Sequence, residues 1–136
     1  MQTVNLIHRN AFTATNGVLF GKMLGMPVVK LTTVGRKSGR PRTTMLTSPY
    51  KDGDNLVLVA SNGGAPKHPD WFANLREKPE VEVQTRDFKG RRNARIATAE
   101  EKARIWPELT RAHKNYAGYQ KKTTRDIPLV ILEPVD

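Results

Sequence analysis

The chain has 136 residues, no cysteine and a formal net charge of +10. That length suits one hydrophobic core, and the missing thiols exclude disulfides, thiolate metal sites and a cysteine nucleophile. The charge is uneven: residues 1–51 carry eight Lys or Arg and no acid, whereas residues 52–136 carry fifteen against thirteen, a field that draws anionic partners without naming them.

The first ten residues hold one cation, and "AFTATNGVLFGKMLGM" is broken by Thr, Asn, Gly and Lys. Neither the apolar centre of a secretion signal nor a span of about 20 apolar residues is present. Together with the absence of cysteine this predicts a soluble, cytoplasmic protein. Leu19, Phe20, Met23 and Leu24 fall at helical spacing, so residues 1–27 read as an N-terminal helical segment packed on its own domain. Weak peripheral contact with the inner face of a membrane is the alternative. No repeat or linker divides the remainder, and residues 28–136 read as one barrel domain.

"VVKLTTVG" (28–35) reads as a strand and turn, "RTTMLTSPY" (42–50) as its partner, and "KDGD" (51–54) as a turn into "NLVLVAS" (55–61). These three segments predict an antiparallel meander. In "HPDWFANLREKPE" (68–80), Pro69 suits a first helical turn, Asp70 the positive end of the dipole and Pro79 a stop. Trp71, Phe72 and Leu75 recur at helical spacing and read first as core. "VEVQT" (81–85) and "FKGRRNARIAT" (88–98) alternate like a hairpin turned at Arg86 and Asp87.

Thr98 followed by Glu101 is a capping box that starts a helix. Ile105, Leu109 and Ala112 mark its buried face, and Pro107 predicts a kink or a break between two helical segments. After "NYAGYQKKT", the apolar "IPLVILEP" (127–134) closes the chain as a strand. Six or so strands against three helices fit a mainly β, α+β fold, an antiparallel barrel with peripheral helices, better than a parallel βαβ fold.

"TTVGRKSGRPRTT" (32–44) sets Arg36, Lys37, Arg40 and Arg42 among two glycines and a proline, with no carboxylate. Gly35 and Gly39 are four apart and a strand follows, so a Walker-type phosphate loop is excluded. Cations this dense repel one another unless an anion joins them. The segment reads as a phosphate- or carboxylate-binding loop, with a solvated basic hairpin as the plain alternative. In "ASNGGAPKHPDWFANL" (60–75), Ser61, Asn62 and two glycines lie between a strand and a helix, where the backbone can approach a ligand. A simple β-to-α connection is the other reading.

His68 is a candidate acid or base, or a helix cap. His8, His68 and His113 lie far apart without an H-E-x-x-H motif, so a metal site has little support. No G-x-S-x-G occurs. Tyr116 and Tyr119 are three apart, flanked by Lys114, Lys121, Lys122 and Arg125, and their face is expected at solvent or a cavity mouth, where a phenol can donate a proton. Residues 30–44 hold no aromatic, which argues against specific nucleic-acid binding.

Taken together, "LTTVGRKSGRPRTT", "VASNGGAPKHPDWFANLREKPEVEVQ", "WPEL", "YAGYQ" and "RDIPLVILEP" resemble the deazaflavin-dependent nitroreductase family of actinobacteria, over about residues 28–134. The resemblance implies a split β-barrel related to flavin-binding reductases. It also implies coenzyme F420, an 8-hydroxy-5-deazaflavin whose phosphodiester and oligoglutamate tail lies on a basic surface. By position, Arg36, Lys37 and Ser38 would meet the tail, with Arg42 and Thr43, Thr44, Met45, Leu46 and Thr47 passing along phosphate and ring. Val59, Ala60, Ser61 and Asn62 would line the ring with backbone groups, and Asp70, Trp71, Phe72, Ala73 and Asn74 would flank its other side. Tyr116 would close the pocket and Tyr119 face the substrate.

Two positions depart from the pattern: Thr47 and His113 stand where the best-known relatives carry tyrosines, on the substrate side. The implied activity is hydride transfer from the reduced deazaflavin to an electron-poor conjugated acceptor, an enone, lactone, quinone or nitroaromatic. Tyr119, or water it orders, would be the proton source. The expected state is a monomer acting on a small hydrophobic acceptor. A nucleic-acid or anionic-membrane binder is the competing class, and the same fold holding flavin mononucleotide or haem ranks third.

Overall fold

The structure, a computed structural model, describes residues 26–135. The predicted helix over residues 12–26 and most of the N-terminal segment lie outside them. Seven strands are present: β1 (Val28–Val34), β2 (Pro41–Thr47), β3 (Tyr50–Asp52), β4 (Asn55–Val59), β5 (Glu80–Gln84), β6 (Lys89–Ile96) and β7 (Leu129–Pro134). Three α-helices join them: α1 (Asp70–Glu77), α2 (Ala99–Ala112) and α3 (Lys114–Lys121), with a 3-10 turn at Asn62–Gly64. Among the described residues no helix is long and apolar enough to cross a membrane.

All seven strands form one antiparallel sheet in the order β2-β1-β5-β6-β7-β4-β3. β2 and β3 occupy opposite edges, yet only Ser48 and Pro49 separate them in the chain. Two residues span at most about 7 Å, so the sheet must curl until its edges meet. Ser48, buried at 2% exposure, marks the seam: its N–H donates to Pro27 O at 3.0 Å, and its Oγ lies 2.8 Å from Val57 O and 3.0 Å from Tyr50 O. This is the split barrel expected.

The curl corrects the predicted meander. β1 with β2 and β3 with β4 are hairpins, but β2 and β3 are not sheet neighbours. "RTTMLTSPY" is therefore two strands broken at the seam.

Period-two alternation decides which strands lie at the centre. In β7, Val130 and Leu132 join a core with Val29, Leu31, Leu58, Phe72, Leu75, Val81 and Val83. Leu129 and Ile131 join a second core with Met26, Val57, Val59, Ile105, Leu109 and Tyr116. Leu129–Leu132 of β7, buried on both faces, is an unbroken apolar run. In β5, Val81 and Val83 are buried while Glu80 and Glu82 are exposed. Each fully buried aliphatic side chain contributes roughly 1.5–3 kcal/mol. Helix α1 covers the first core and helices α2 and α3 the second.

The capping box at Thr98 forms, with Glu101 N–H donating to Thr98 Oγ1 at 3.2 Å and Thr98 N–H to Glu101 Oε1 at 2.8 Å. Pro107 does not divide α2, which runs unbroken over 14 residues. Pro107 sits on the exposed face, where water can serve the carbonyl left without its usual donor. The break falls instead at His113. Ala112, expected on the buried face, is exposed. Pro69 is the cap before α1 rather than its first residue, so His68 does not cap the helix.

Candidate functional site

The basic loop between β1 and β2 closes on itself: Gly35 N–H donates to Arg40 O, and Gly39 N–H to Gly35 O, each at 2.8 Å. A Cβ on Gly35 would lie 2.6 Å from Ser38 Oγ, so this close approach requires glycine. Ser38 Oγ accepts from Arg40 N–H at 3.2 Å and Arg42 Nη2 at 3.3 Å.

Arg36 turns from the loop toward α1. Its N–H and Nη1 donate to Asn74 Oδ1 at 3.1 and 2.7 Å, and Nη2 meets the Asp70 carboxylate at 3.3 Å. Asn74 Nδ2 donates to Thr33 Oγ1 at 3.2 Å. Asn74 and Thr33 are 4% and 1% exposed, and these bonds satisfy polar groups that burial would otherwise make costly. Lys37 makes no ion pair or hydrogen bond among the described residues.

These elements enclose an open cavity of about 560 Å³ lined by Thr33, Gly35, Arg36, Lys37, Ser38, Arg42, Thr43, Thr44, Asp70, Trp71 and Asn74. Its three cations face one carboxylate, already engaged by Arg36. Nine of the residues predicted from sequence thus meet in one place.

The others fall elsewhere. Met45, Leu46 and Thr47 continue along β2. Val59, Ala60 and Phe72 are core, and Ala73 is half-buried on α1. Ser61 and Asn62 follow β4 at the 3-10 turn.

Glycine at this turn serves the fold. Gly64 has φ +85°, and a Cβ there would lie 2.8 Å from Tyr119 O and 3.0 Å from Lys122 Cβ. Its close approach is to the end of α3.

The tyrosine face differs from expectation. Tyr116 is 7% exposed within the second core, with its ring edge-on to Tyr119 at 5.9 Å and to His113 at 6.4 Å. Its hydroxyl lies 3.8 Å from Met26 Sδ. Burial pushes the phenol pKa up, partly offset by a hydrogen bond with Thr47. Tyr119 is half-buried.

Arg125, expected with the solvated lysines, points inward. Nε donates to Ala65 O at 2.9 Å, Nη2 to Ser61 O at 2.7 Å, and Nη1 to Ala60 O at 3.2 Å. Nη1 also lies 3.0 Å from His68 Nδ1. A guanidinium only donates, so His68 Nδ1 accepts and Nε2 carries the proton. Burial, Arg125 and Arg76 hold the His68 pKa below its ordinary value, which keeps the ring neutral at pH 7. Among the described residues no cluster of His, Asp or Glu could hold a metal ion.

Sequence reasoning missed Thr33 and Arg125. Thr33 had a signal, since it continues the inward register of Val29 and Leu31 with a polar side chain. Arg125 opens the "RDIPLVILEP" motif, but its inward contacts had no local signal, because its partners lie 57 to 65 positions away.

The family model for F420H(2)-dependent quinone reductase matches residues 5–134. The F420H(2)-dependent quinone reductase Rv1261c of Mycobacterium tuberculosis is 35% identical over 130 residues, covering 93% of this chain and 87% of the relative. A solved F420-H2 dependent reductase (FDR-A) aligns with TM-score 0.69 and 41% identity, over 79% of this chain and 94% of its own. A second structure, described as a domain-swapped dimer, aligns with TM-score 0.72 and 35% identity over 98% and 100%. A match of this extent assigns the protein: the chain belongs to the F420H(2)-dependent quinone reductases, an oxidoreductase family whose hydride donor is reduced coenzyme F420.

Proposed function

We propose that this chain reduces quinones with F420H(2), and that enones, unsaturated lactones and nitroaromatics are the wider class of electron-poor acceptors open to the same site. The observation that carries the reading is the cavity that brings Arg36, Lys37, Ser38 and Arg42 together against Trp71, with its positive charge unbalanced. A phosphodiester and carboxylates fit these donors. Arg42 offers planar two-pronged contacts and Lys37 a mobile point charge. Arg36, tied to Asn74 and Asp70, holds the loop against α1 and has fewer donors left for a ligand.

Bound reduced deazaflavin supplies the hydride. The chain's part is to hold, orient and exclude water. Thr43, Thr44, Met45, Leu46 and Thr47 extend the wall along β2, and Trp71 with Ala73 provides the facing one. At Val59 and Ala60 the side chains are buried, so the segment through Ser61 and Asn62 would meet the ring with backbone groups. Phe72 supports this wall from the core. Tyr116 keeps its proton and packs against Tyr119, which in this reading would donate to a reduced acceptor.

The test is titration with F420, flavin mononucleotide and a DNA duplex at one salt concentration, followed by anaerobic turnover of F420H(2) with a naphthoquinone, an unsaturated lactone and a nitroaromatic. Saturable binding of F420 alone, with the quinone reduced fastest, is expected. Equal binding of flavin mononucleotide, or no binding of F420, overturns the reading. DNA binding that fades with modest salt reports charge only.

A further inference from the structure

Four contacts of one guanidinium converge on the segment between β4 and α1. Arg125 donates to the carbonyls of Ala60, Ser61 and Ala65 and to His68 Nδ1. This is more than packing requires, because the same segment already holds its own backbone bonds: Ala60 N–H to Pro128 O, Gly64 N–H to Ser61 O and Ala65 N–H to Asn62 O.

In a trans peptide the C=O and the following N–H point in opposite directions. Pinning Ala60 O and Ser61 O toward Arg125 therefore turns the N–H groups of Ser61 and Asn62 away from it. Those two amides have no backbone partner among the described residues. Ser61 is right-handed helical (φ −77°, ψ −33°) and Asn62 has φ +47°. That succession makes neighbouring N–H groups converge on one point, a concavity suited to a negative oxygen. His68, accepting from Nη1, holds the guanidinium from the helix side.

We propose that Arg125 is a positioning residue that aims the Ser61 and Asn62 amides at an anionic or carbonyl oxygen of the bound deazaflavin ring. The inference rests on the reading above, in which this segment lines the ring. It assigns the work to an arginine that touches no ligand. Fixed amide dipoles serve such an oxygen well because they need no reorganisation when charge develops.

The test uses two variants of the full chain. R125K keeps the charge but cannot fan into three carbonyls. S61P deletes one of the two amides; its φ of −77° suits proline, and no described backbone hydrogen bond is lost. Wild type, R125K and S61P are titrated with oxidised F420, following affinity and the absorption maximum of the bound ring, with melting temperatures recorded beside them.

Both variants should bind about tenfold or more weakly and shift the bound spectrum, S61P with its melting temperature held. Wild-type affinity and spectrum in both, or loss in S61P alone while folded R125K behaves as wild type, overturns the proposal. If R125K does not fold, the comparison passes to R125Q, which retains a donor to one carbonyl, and unchanged affinity and spectrum there overturn it equally. Absence of F420 binding by the wild type would instead overturn the proposed function, so the two failures are distinct.

Discussion

Asn74 Oδ1 accepts both the backbone N–H and the guanidinium of Arg36, at 3.1 and 2.7 Å. One buried amide on α1 thereby sets the position of a loop 38 residues earlier in the chain, and through Nδ2 it also holds Thr33 on β1. Replacing Asn74 by leucine should leave the Arg36 N–H without its acceptor and take from Thr33 Oγ1 the bond it accepts, leaving Thr33 only its donation to Arg42 O, at a stability cost of about 1–3 kcal/mol. Urea unfolding measures this. F420 affinity should fall with it, because the loop loses its anchor, and unchanged affinity would place the ligand away from this loop.

Lys37 and Arg42 line the cavity from the exposed side. K37A and R42A should each weaken F420 binding about tenfold and flatten its salt dependence. Melting temperatures should stay near wild type, since Lys37 makes no described contact and Arg42 gives up one bond to Ser38. Fluorescence titration at two salt concentrations checks both points.

Tyr119 stands half-buried above Tyr116 with ring centroids 5.9 Å apart. Y119F keeps the ring and removes the proton. Turnover should drop by about 10²-fold with F420 affinity little changed. Equal loss in both quantities would assign Tyr119 to binding rather than to proton donation.

The Arg95 guanidinium meets Glu101 at 2.7 and 2.8 Å and Glu133 at 3.1 Å. With the Thr98 amide, it holds the Glu101 carboxyl down at about 2. The folded state thus resists protonation there more than the unfolded chain does. The contribution is complete above the ordinary carboxylate pKa and is lost as pH falls from about 4.5 to about 2. Between pH 5 and 2 the wild type should lose melting temperature more steeply than E101Q, whose glutamine still caps α2. Parallel slopes would remove Glu101 as the acid-sensitive group.

Gly63 and Gly64 both have positive φ, +65° and +85°, but a Cβ on Gly63 would meet nothing within 4 Å among the described residues, whereas Gly64 abuts Tyr119 O. G63A bears backbone strain alone. G64A adds overpacking, and urea unfolding should show it less stable than G63A by about 1–3 kcal/mol. Equal values would mean that the end of α3 gives way freely.

Local signals in the chain set most of the elements and the chemical character of the loop, though not the split of "RTTMLTSPY" into two strands or the unbroken run of α2 through Pro107. Alternation in β5, the capping box at Thr98, the stop at Pro79 and the cationic run from Arg36 to Arg42 all act within a few residues of themselves, so their local signals survive folding. Resemblance carried the cofactor, because its motifs span the basic loop, the Ser61–Trp71 segment and the closing strand together. The tertiary structure decided what depends on distance along the chain. Strand order, with β2 and β3 at opposite edges, follows from curling of the whole sheet; Pro49 marks a break in the run, but nothing local says that the two sides of the seam end on opposite edges. Burial of Tyr116, the Asn74–Arg36 bond and the reach of Arg125 to Ala60, 65 residues away, exist only once that sheet has closed. Non-local contacts form when packing brings distant segments together, and no short window of sequence holds both partners.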